Sequence, residues 1–321
     1  MNFDPTKLLS ASPLRWFLPA RSAATFATSP ACATYDGIPR MPALFGRQGG
    51  PRQRVIGTSL YSASAGDTLA TWAVMRVDAE KLSALLPEGF VLADNLLVVE
   101  AVTLSNLPWL AGRGYEMLMV STPVTYTVGG VQHRGRLELV SWEDRPDAIV
   151  SGREELGWNK IYADTMDRHT ADDGKSIRYT VAWGGTTFFE LSATLGRGVA
   201  GVGEWRTGPL MHYRVFPRTG DWGSLEVEQV TAHAAGVPVA SLRQLRPAEA
   251  TFKFIPGTFE QLPTLCHIVN KLAELTTGEV VDAGQAKSAT WGDVRDIKII
   301  SSTKPLQFVS AETVPGDDEQ G

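Results

Sequence analysis

The sequence predicts a β-rich α+β fold: antiparallel sheets able to close into a barrel, with few short helices. Three observations lead there. Valine, threonine, tryptophan and tyrosine recur in short, partly alternating runs, the pattern of half-buried strands. Glycine and proline number 31 and 19, above the usual share, and punctuate those runs. Strand candidates also outnumber helix candidates along the whole chain.

Residues 69–77 alternate in part and carry Trp72 and Val74, so they read as a strand. Asp78 can cap a short helix that puts Leu82, Leu85 and Leu86 on one face and stops at Pro87. Residues 95–104 and 116–127 read as strands, and Gly129-Gly130 turns the chain into a strand at 136–142. A short strand at 147–150 leads into residues 152–160. Strands at 177–183 and 186–195 flank Gly184-Gly185, a hairpin signal. Further strands are expected at 211–216, 225–231, 251–255, 266–270 and 290–300.

The domain organisation follows. Residues 1–60 form an irregular arm in which no acidic residue occurs between Asp4 and Asp36, as in an organelle-targeting segment, although four prolines interrupt any helix. Residues 61–300 form a single domain, and residues 301–321 a loose polar tail.

Composition excludes several classes. With 43% hydrophobic and 20% charged residues the 321-residue chain can bury a core, and no apolar run is long enough to span a bilayer as a helix. The net charge of −5 and the lack of like-charge blocks give no footprint for nucleic acid. Two cysteines, Cys32 and Cys266, cannot build a disulfide framework and fit a reduced compartment. A cytoplasmic location is expected, with targeting by the arm the alternative. No membrane or nucleic-acid partner is expected.

Most site chemistries lack their residues. The five histidines have no chelating partner at three or four residues, and the adjacent Cys266-His267 would point to opposite faces of a strand, so no metal is expected. The glycines from Gly198 to Gly203 reverse the dinucleotide spacing, and no Gly-x-Ser-x-Gly elbow occurs. No cofactor is expected. Lysine is more promising, because an amine in apolar surroundings can act as a nucleophile. Lys253 lies between two phenylalanines on a strand and should point away from them, toward solvent. Lys160 has Trp158, Ile161 and Tyr162 beside it and Leu156 a turn away.

The segment Gly152-Arg153-Glu154-Glu155-Leu156-Gly157-Trp158-Asn159-Lys160 resembles the motif of the acetoacetate decarboxylase family: Gly-Arg-Glu, then Gly, an aromatic residue, Pro and Lys. Residues 252–256 followed by 263–270, and 289–292 followed by 297–299, resemble later blocks of that family. The likeness spans residues 67 to 300. It implies a cone-like β-barrel around a largely apolar pocket, a small oxo acid as substrate, and a homo-oligomer. It implies that Lys160 forms a Schiff base with the substrate ketone, so that the iminium accepts the electrons released with carbon dioxide.

The sequence departs from the family pattern in three places. Ile161 stands where the best-known members have a second lysine, leaving apolar burial as the means of keeping Lys160 neutral. Counting from Tyr115 places Met117 at an acidic position of the family; Glu116 takes that role only with a gap or a bulge nearby. Thr68 lies where an arginine is expected.

The catalytic candidates are therefore Lys160 and Glu116. The substrate-binding candidates are Arg113, Arg153 and Trp158, with bracing of the loop the competing role for Arg153 and an exposed turn for Arg113. The expected reaction is Schiff-base decarboxylation of acetoacetate or a related 3-oxo acid. The alternatives are imine-based aldol, dehydration or cyclisation chemistry on another oxo acid, or a non-catalytic pocket for a small carbonyl compound.

Overall fold

The structure is a computed structural model of the full chain. It describes residues 35–36, 41–42, 44, 54–55, 65–196, 203–206, 208–233, 241–245, 249–290 and 297–303. Most of the expected arm, residues 198–202 of the glycine turn and residues 304–321 of the expected tail lie outside these residues, while 301–302 of that tail belong to a strand.

In chain order, β1 (Tyr35–Asp36) and β2 (Arg54–Val55) pair as a small ladder within the expected arm. β3 (Ala65–Arg76) leads into α1 (Ala79–Ser83), whose first turn is capped by the Asp78 side chain accepting from Lys81 N, as the sequence indicated. Then come β4 (Phe90–Leu92), β5 (Leu96–Leu107), β6 (Arg113–Val128), β7 (Val131–Glu143), α2 (Pro146–Ser151) and, after a π-helical turn at Gly152–Leu156, β8 (Lys160–Tyr162). β9 (Thr165–Thr170), β10 (Ser176–Trp183) and β11 (Thr186–Thr194) form a meander. β12 (Leu210–Arg218), β13 (Asp221–His233), β14 (Ser241–Gln244), β15 (Thr251–Phe254), α3 (Cys266–Leu275), β16 (Glu279–Thr290) and β17 (Lys298–Ser302) complete the order.

Eleven strands form one sheet along the path β14-β16-β3-β5-β6-β7-β12-β13-β17, with β4 added on β6 and β8 on β7. β15, β11, β10 and β9 form a four-stranded sheet. The β-rich class with few helices holds, but two features of the expectation do not. β8 and β12 both run parallel to β7, so the large sheet is mixed. Among the described residues no sheet closes into a barrel: the path ends on two short strands, β14 and β17, which do not pair with each other. Closure needs a continuous ladder of consistent stagger, which two short end strands do not supply here.

Two segments read as strands are helical. Residues 147–150 lie in α2, where Pro146 occupies the first turn and its missing N–H costs nothing. Residues 266–270 open α3, which buries Val269, Leu272 and Leu275 on one face. The expected strand at 290–300 is replaced by the end of β16 and the start of β17, with 291–296 outside the described residues.

The sheets place the site because their two faces differ. One face of the large sheet packs on the small sheet and α3 through Leu118, Val120, Trp142, Phe188, Phe189, Phe252 and Phe254. The other face carries Tyr115, Met117 and Met119 together with Ala148 and Trp158. Alternation along β6 therefore sends Tyr115 and Met117 to one side and Glu116 to the other.

Candidate active site

Lys160 begins β8, and its position is set by hydrogen bonds around the turn before it. The Arg214 guanidinium donates to Glu154 O at 2.6 Å, and Thr231 Oγ1 donates to Leu156 O at 2.8 Å. Arg153 Nη1 donates to Lys160 O at 2.8 Å. Asn159 donates from its backbone N to Glu138 Oε2 at 2.9 Å and from Nδ2 to Glu138 O at 3.0 Å. These bonds hold backbone groups that an α-helical turn would have paired internally.

Two glycines make room for the arrangement. Gly157 has φ +86°, and a Cβ there would lie 2.9 Å from both Arg214 Cδ and Thr231 Oγ1. A Cβ on Gly152 would lie 2.5 Å from Lys160 Cδ and 2.9 Å from Nζ. The family-like Gly-Arg-Glu segment thus has a steric explanation: the lysine stem crosses directly over Gly152.

The Lys160 side chain is 7% exposed and its Nζ lies 2.7 Å from Glu143 Oε1, with Glu143 fully buried. This ion pair is the contact that Oε1 makes, and Glu143 Oε2 has no donor. Nζ also donates to Ala148 O at 3.3 Å. The Trp158 ring centroid lies 4.9 Å from Nζ and that of Tyr115 6.0 Å, so two aromatic faces cover the amine. The wall around Nζ is therefore not wholly apolar. Burial pushes the Glu143 carboxyl up, the Lys160 charge opposes this, and Glu138 and Asp144 add to the rise. Burial, with Glu143 and Asp144, also pushes the Tyr115 phenol well above its usual range.

A bulge brings the other charged groups to this face. Along β6 and β7, Met117 faces Glu143, Met119 faces Ser141, Ser121 faces Glu138 and Pro123 faces Arg136, with Leu139 the extra residue. Arg136 and Glu138 thereby share a face with Ser141 and Glu143, which plain alternation would have denied. Ser141 in turn faces Lys160 on β8, and Met119 faces Glu100 on β5, so these residues form one row.

Glu138 accepts from Ser141 Oγ at 2.5 Å and lies 2.6 Å from His212 Nδ1, both partners being buried. Burial alone would raise the Glu138 carboxyl, but His212, Ser141 and Asn159 outweigh it and hold it below the usual range. Trp158 stacks on His212 at 4.6 Å. Glu100 pairs with Arg136 at 2.6 Å and Arg206 at 3.1 Å. Burial again works against ionisation, and the two guanidinium groups overcome it.

The five sequence candidates separate. Lys160 and Trp158 come together. Arg153 braces the turn through Lys160 O. Arg113 is exposed at the start of β6 and donates to Leu110 O at 3.4 Å. Glu116 is not brought to Lys160. It faces the small sheet, accepts from Thr103 Oγ1 at 2.9 Å, and has Arg168 and Tyr179 as neighbours. Burial pushes it up to about 7 against the opposing pull of Thr103 and Arg168. The bulge that moves an acid to the lysine face occurs in β7, not near Glu116. Lys253 is exposed and pairs with Glu190 at 3.2 Å, as its flanking phenylalanines indicated.

Sequence reasoning missed Glu143, Glu138, His212, Arg136, Glu100 and Arg206. Glu143 had one available signal: an acidic residue at the end of a strand, just before the motif that carries Lys160. Among the described residues no group of three or more His, Cys, Asp or Glu could hold a metal ion.

Solved structures of similar fold agree with this architecture. Acetoacetate decarboxylase from Legionella pneumophila is 14% identical, with a TM-score of 0.59 over 78% of this chain and 92% of that one. An acetoacetate decarboxylase-like enzyme from Sphingomonas wittichii RW1 is 18% identical, with a TM-score of 0.54 over 72% and 91%. The enduracididine biosynthesis enzyme MppR, complexed with the condensation product of pyruvate and imidazole 4-carboxaldehyde, is 15% identical, with a TM-score of 0.56 over 80% and 93%. No curated protein sequence matches the chain. The family model for acetoacetate decarboxylase matches residues 55–237, more than half of the sequence, a span that contains Lys160, Glu143 and the turn between them. The chain belongs to the acetoacetate decarboxylase family.

Proposed function

We propose that this chain is an imine-forming enzyme in which Lys160 condenses with a small oxo acid, and that its reaction is decarboxylation of acetoacetate or a related 3-oxo acid. One observation carries the reading: the Lys160 amine is buried at the end of a rigidly braced turn, covered by Trp158 and Tyr115. A surface lysine needs none of this. Condensation turns the substrate carbonyl into an iminium carbon. The electron pair of the bond to the carboxylate then moves onto nitrogen as carbon dioxide departs, giving an enamine that water converts to ketone and free amine. Aromatic faces favour the iminium cation formed at this nitrogen. Arg136 and Arg206, held by Glu100 on the same sheet face, supply positive charge that favours an anionic substrate.

A second reading keeps the imine and changes the outcome to aldol, dehydration or cyclisation chemistry on another oxo acid. The carboxylate of Glu143 against Nζ favours it, since such reactions move protons at carbon. The fold likeness to MppR, whose structure holds a pyruvate condensation product, points the same way.

Sodium borohydride trapping tests both. Acetoacetate that yields carbon dioxide and leaves a reduced adduct on Lys160 supports the first reading. An adduct with pyruvate and no carbon dioxide from acetoacetate supports the second. No adduct on Lys160 with either compound rejects imine chemistry.

A further inference from the structure

We propose that Glu143 is the acid–base residue of the imine cycle at Lys160, and that the pair exchanges protons at the carbon next to the substrate carbonyl. The proposal rests on the imine reading above. It differs from the sequence expectation, in which Glu116 had this role, and from the premise that apolar burial alone prepares the amine.

Four observations carry it. Glu143 Oε1 is 2.7 Å from Nζ, within reach for proton transfer. Its side chain is fully buried against Nζ, so it gives and takes protons first with groups of the site, which pass them on to water. Its second oxygen, Oε2, has no donor, leaving a buried acceptor beside the reacting nitrogen. Its placement is built in: the β7 ladder opposes Glu143 to Met117 on the same face as Tyr115, and parallel β8 delivers Lys160 there. Glu116, by contrast, is on the opposite face.

The steps balance. Glu143 takes one proton from the ammonium, leaving a neutral amine and a carboxylic acid. The amine attacks the carbonyl carbon, the C–N bond forms, and the carbonyl electron pair moves to oxygen. One nitrogen proton and the Glu143 proton leave with that oxygen as water, giving an iminium cation and a carboxylate. The pair begins and ends with one positive and one negative charge, so the buried carboxylate always faces a cation in the resting states. From the iminium, the carboxylate can then take a proton from the adjacent carbon. The C–H pair becomes the C=C bond, the C=N pair returns to nitrogen, and a neutral enamine faces neutral Glu143. Reversal of this step returns a proton, or a deuteron acquired from solvent, to carbon.

The experiment uses the full chain with acetone and pyruvate in deuterium oxide. NMR follows deuterium entry into the methyl groups, and borohydride trapping of Lys160 is run in parallel. Wild type should both trap and exchange. Glu143→Gln should still trap given time, with exchange reduced at least about 100-fold, in line with the loss of a general acid–base group. Exchange within about threefold of wild type in Glu143→Gln would overturn the role of Glu143 while leaving the Lys160 reading intact. Wild type that exchanges neither ketone and forms no adduct on Lys160 would overturn both. If Glu143→Gln does not fold, Glu143→Asp decides the matter. It keeps the charge but withdraws the oxygens by one methylene. Complete trapping with exchange slowed about tenfold or more supports the proposal, and unchanged exchange refutes it.

Discussion

Gly152→Ala separates stability from chemistry more cleanly than any other substitution in this site. Gly152 has φ −65° and ψ −46°, right-handed helical values that alanine adopts without strain. On backbone grounds the change should stabilise by up to about 1 kcal/mol. The new Cβ would lie 2.5 Å from Lys160 Cδ and 2.6 Å from Cε, where ordinary contact is 3.4 Å or more. The lysine stem must therefore move by roughly 1 Å, and overpacking of that kind costs about 1–3 kcal/mol. The net effect on folding is a loss of no more than about 3 kcal/mol. The chemical effect is distinct, because Nζ is drawn away from Glu143 and misplacement by about 1 Å costs on the order of 100-fold in rate. The assay is the rate of borohydride-dependent adduct formation at Lys160, measured beside thermal unfolding. A small shift in Tm with trapping slowed about 100-fold supports the geometry. A variant that traps at the wild-type rate would show that the Gly152–Lys160 contact does not position the amine.

Three further substitutions test the charges. Lys160→Met leaves Glu143 buried without its cation and should cost about 3–5 kcal/mol in urea unfolding, with Lys160→Met/Glu143→Gln recovering much of that loss; equal stability of the two variants would contradict the pairing. Glu138→Gln turns one of the two oxygens that accept from Ser141, His212 and Asn159 N into a donor and removes the charge; it should destabilise by several kcal/mol while slowing adduct formation, whereas unchanged trapping would show that this network does not hold the turn. Glu116, raised to about 7, binds a proton more tightly folded than unfolded. Stability should therefore fall as pH rises from about 4.5 to about 7, by no more than about 3 kcal/mol, and Glu116→Gln should flatten that slope without abolishing trapping. A slope unchanged in Glu116→Gln would assign it to another group.

The strands were legible where alternation is strong. Residues 69–77, 95–104 and 177–195 all fall within β3, β5, β10 and β11 or at their ends, because each has a buried face and a partner ladder that reinforces the period. Helix α3 reads as a strand because its first five residues are too short a run to show a helical period, which is carried by Val269, Leu272 and Leu275 over a longer window.

Lys160 is legible through the resemblance of its segment to a family motif, whose glycines and arginine shape the turn and are local in sequence. Glu143 was not. Its approach to Lys160 depends on a one-residue bulge at Leu139 and on a parallel pairing between strands separated by α2, neither of which leaves a local pattern. The same bulge explains why Arg136 and Glu138 join the lysine face. The choice of Glu116 assumes a gap or bulge near Tyr115; the β5–β6 ladder does shift register between Leu104 and Leu107, but the extra residue is on β5, so β6 keeps its alternation and Glu116 stays on the opposite face. The sequence places the expected arginine before the first core strand, near Thr68. The arginines that gather on the lysine face instead come from β7 and from Arg206, brought together by Glu100 at long range.

The central claim is that Lys160 is the nucleophile. The most direct measurement is mass spectrometry of the intact chain and its peptides after incubation with acetoacetate and borohydride. The account predicts one reduced adduct per chain, located on Lys160 and absent from Lys160→Ala. An unmodified Lys160, or an adduct spread over exposed lysines such as Lys253, would contradict it.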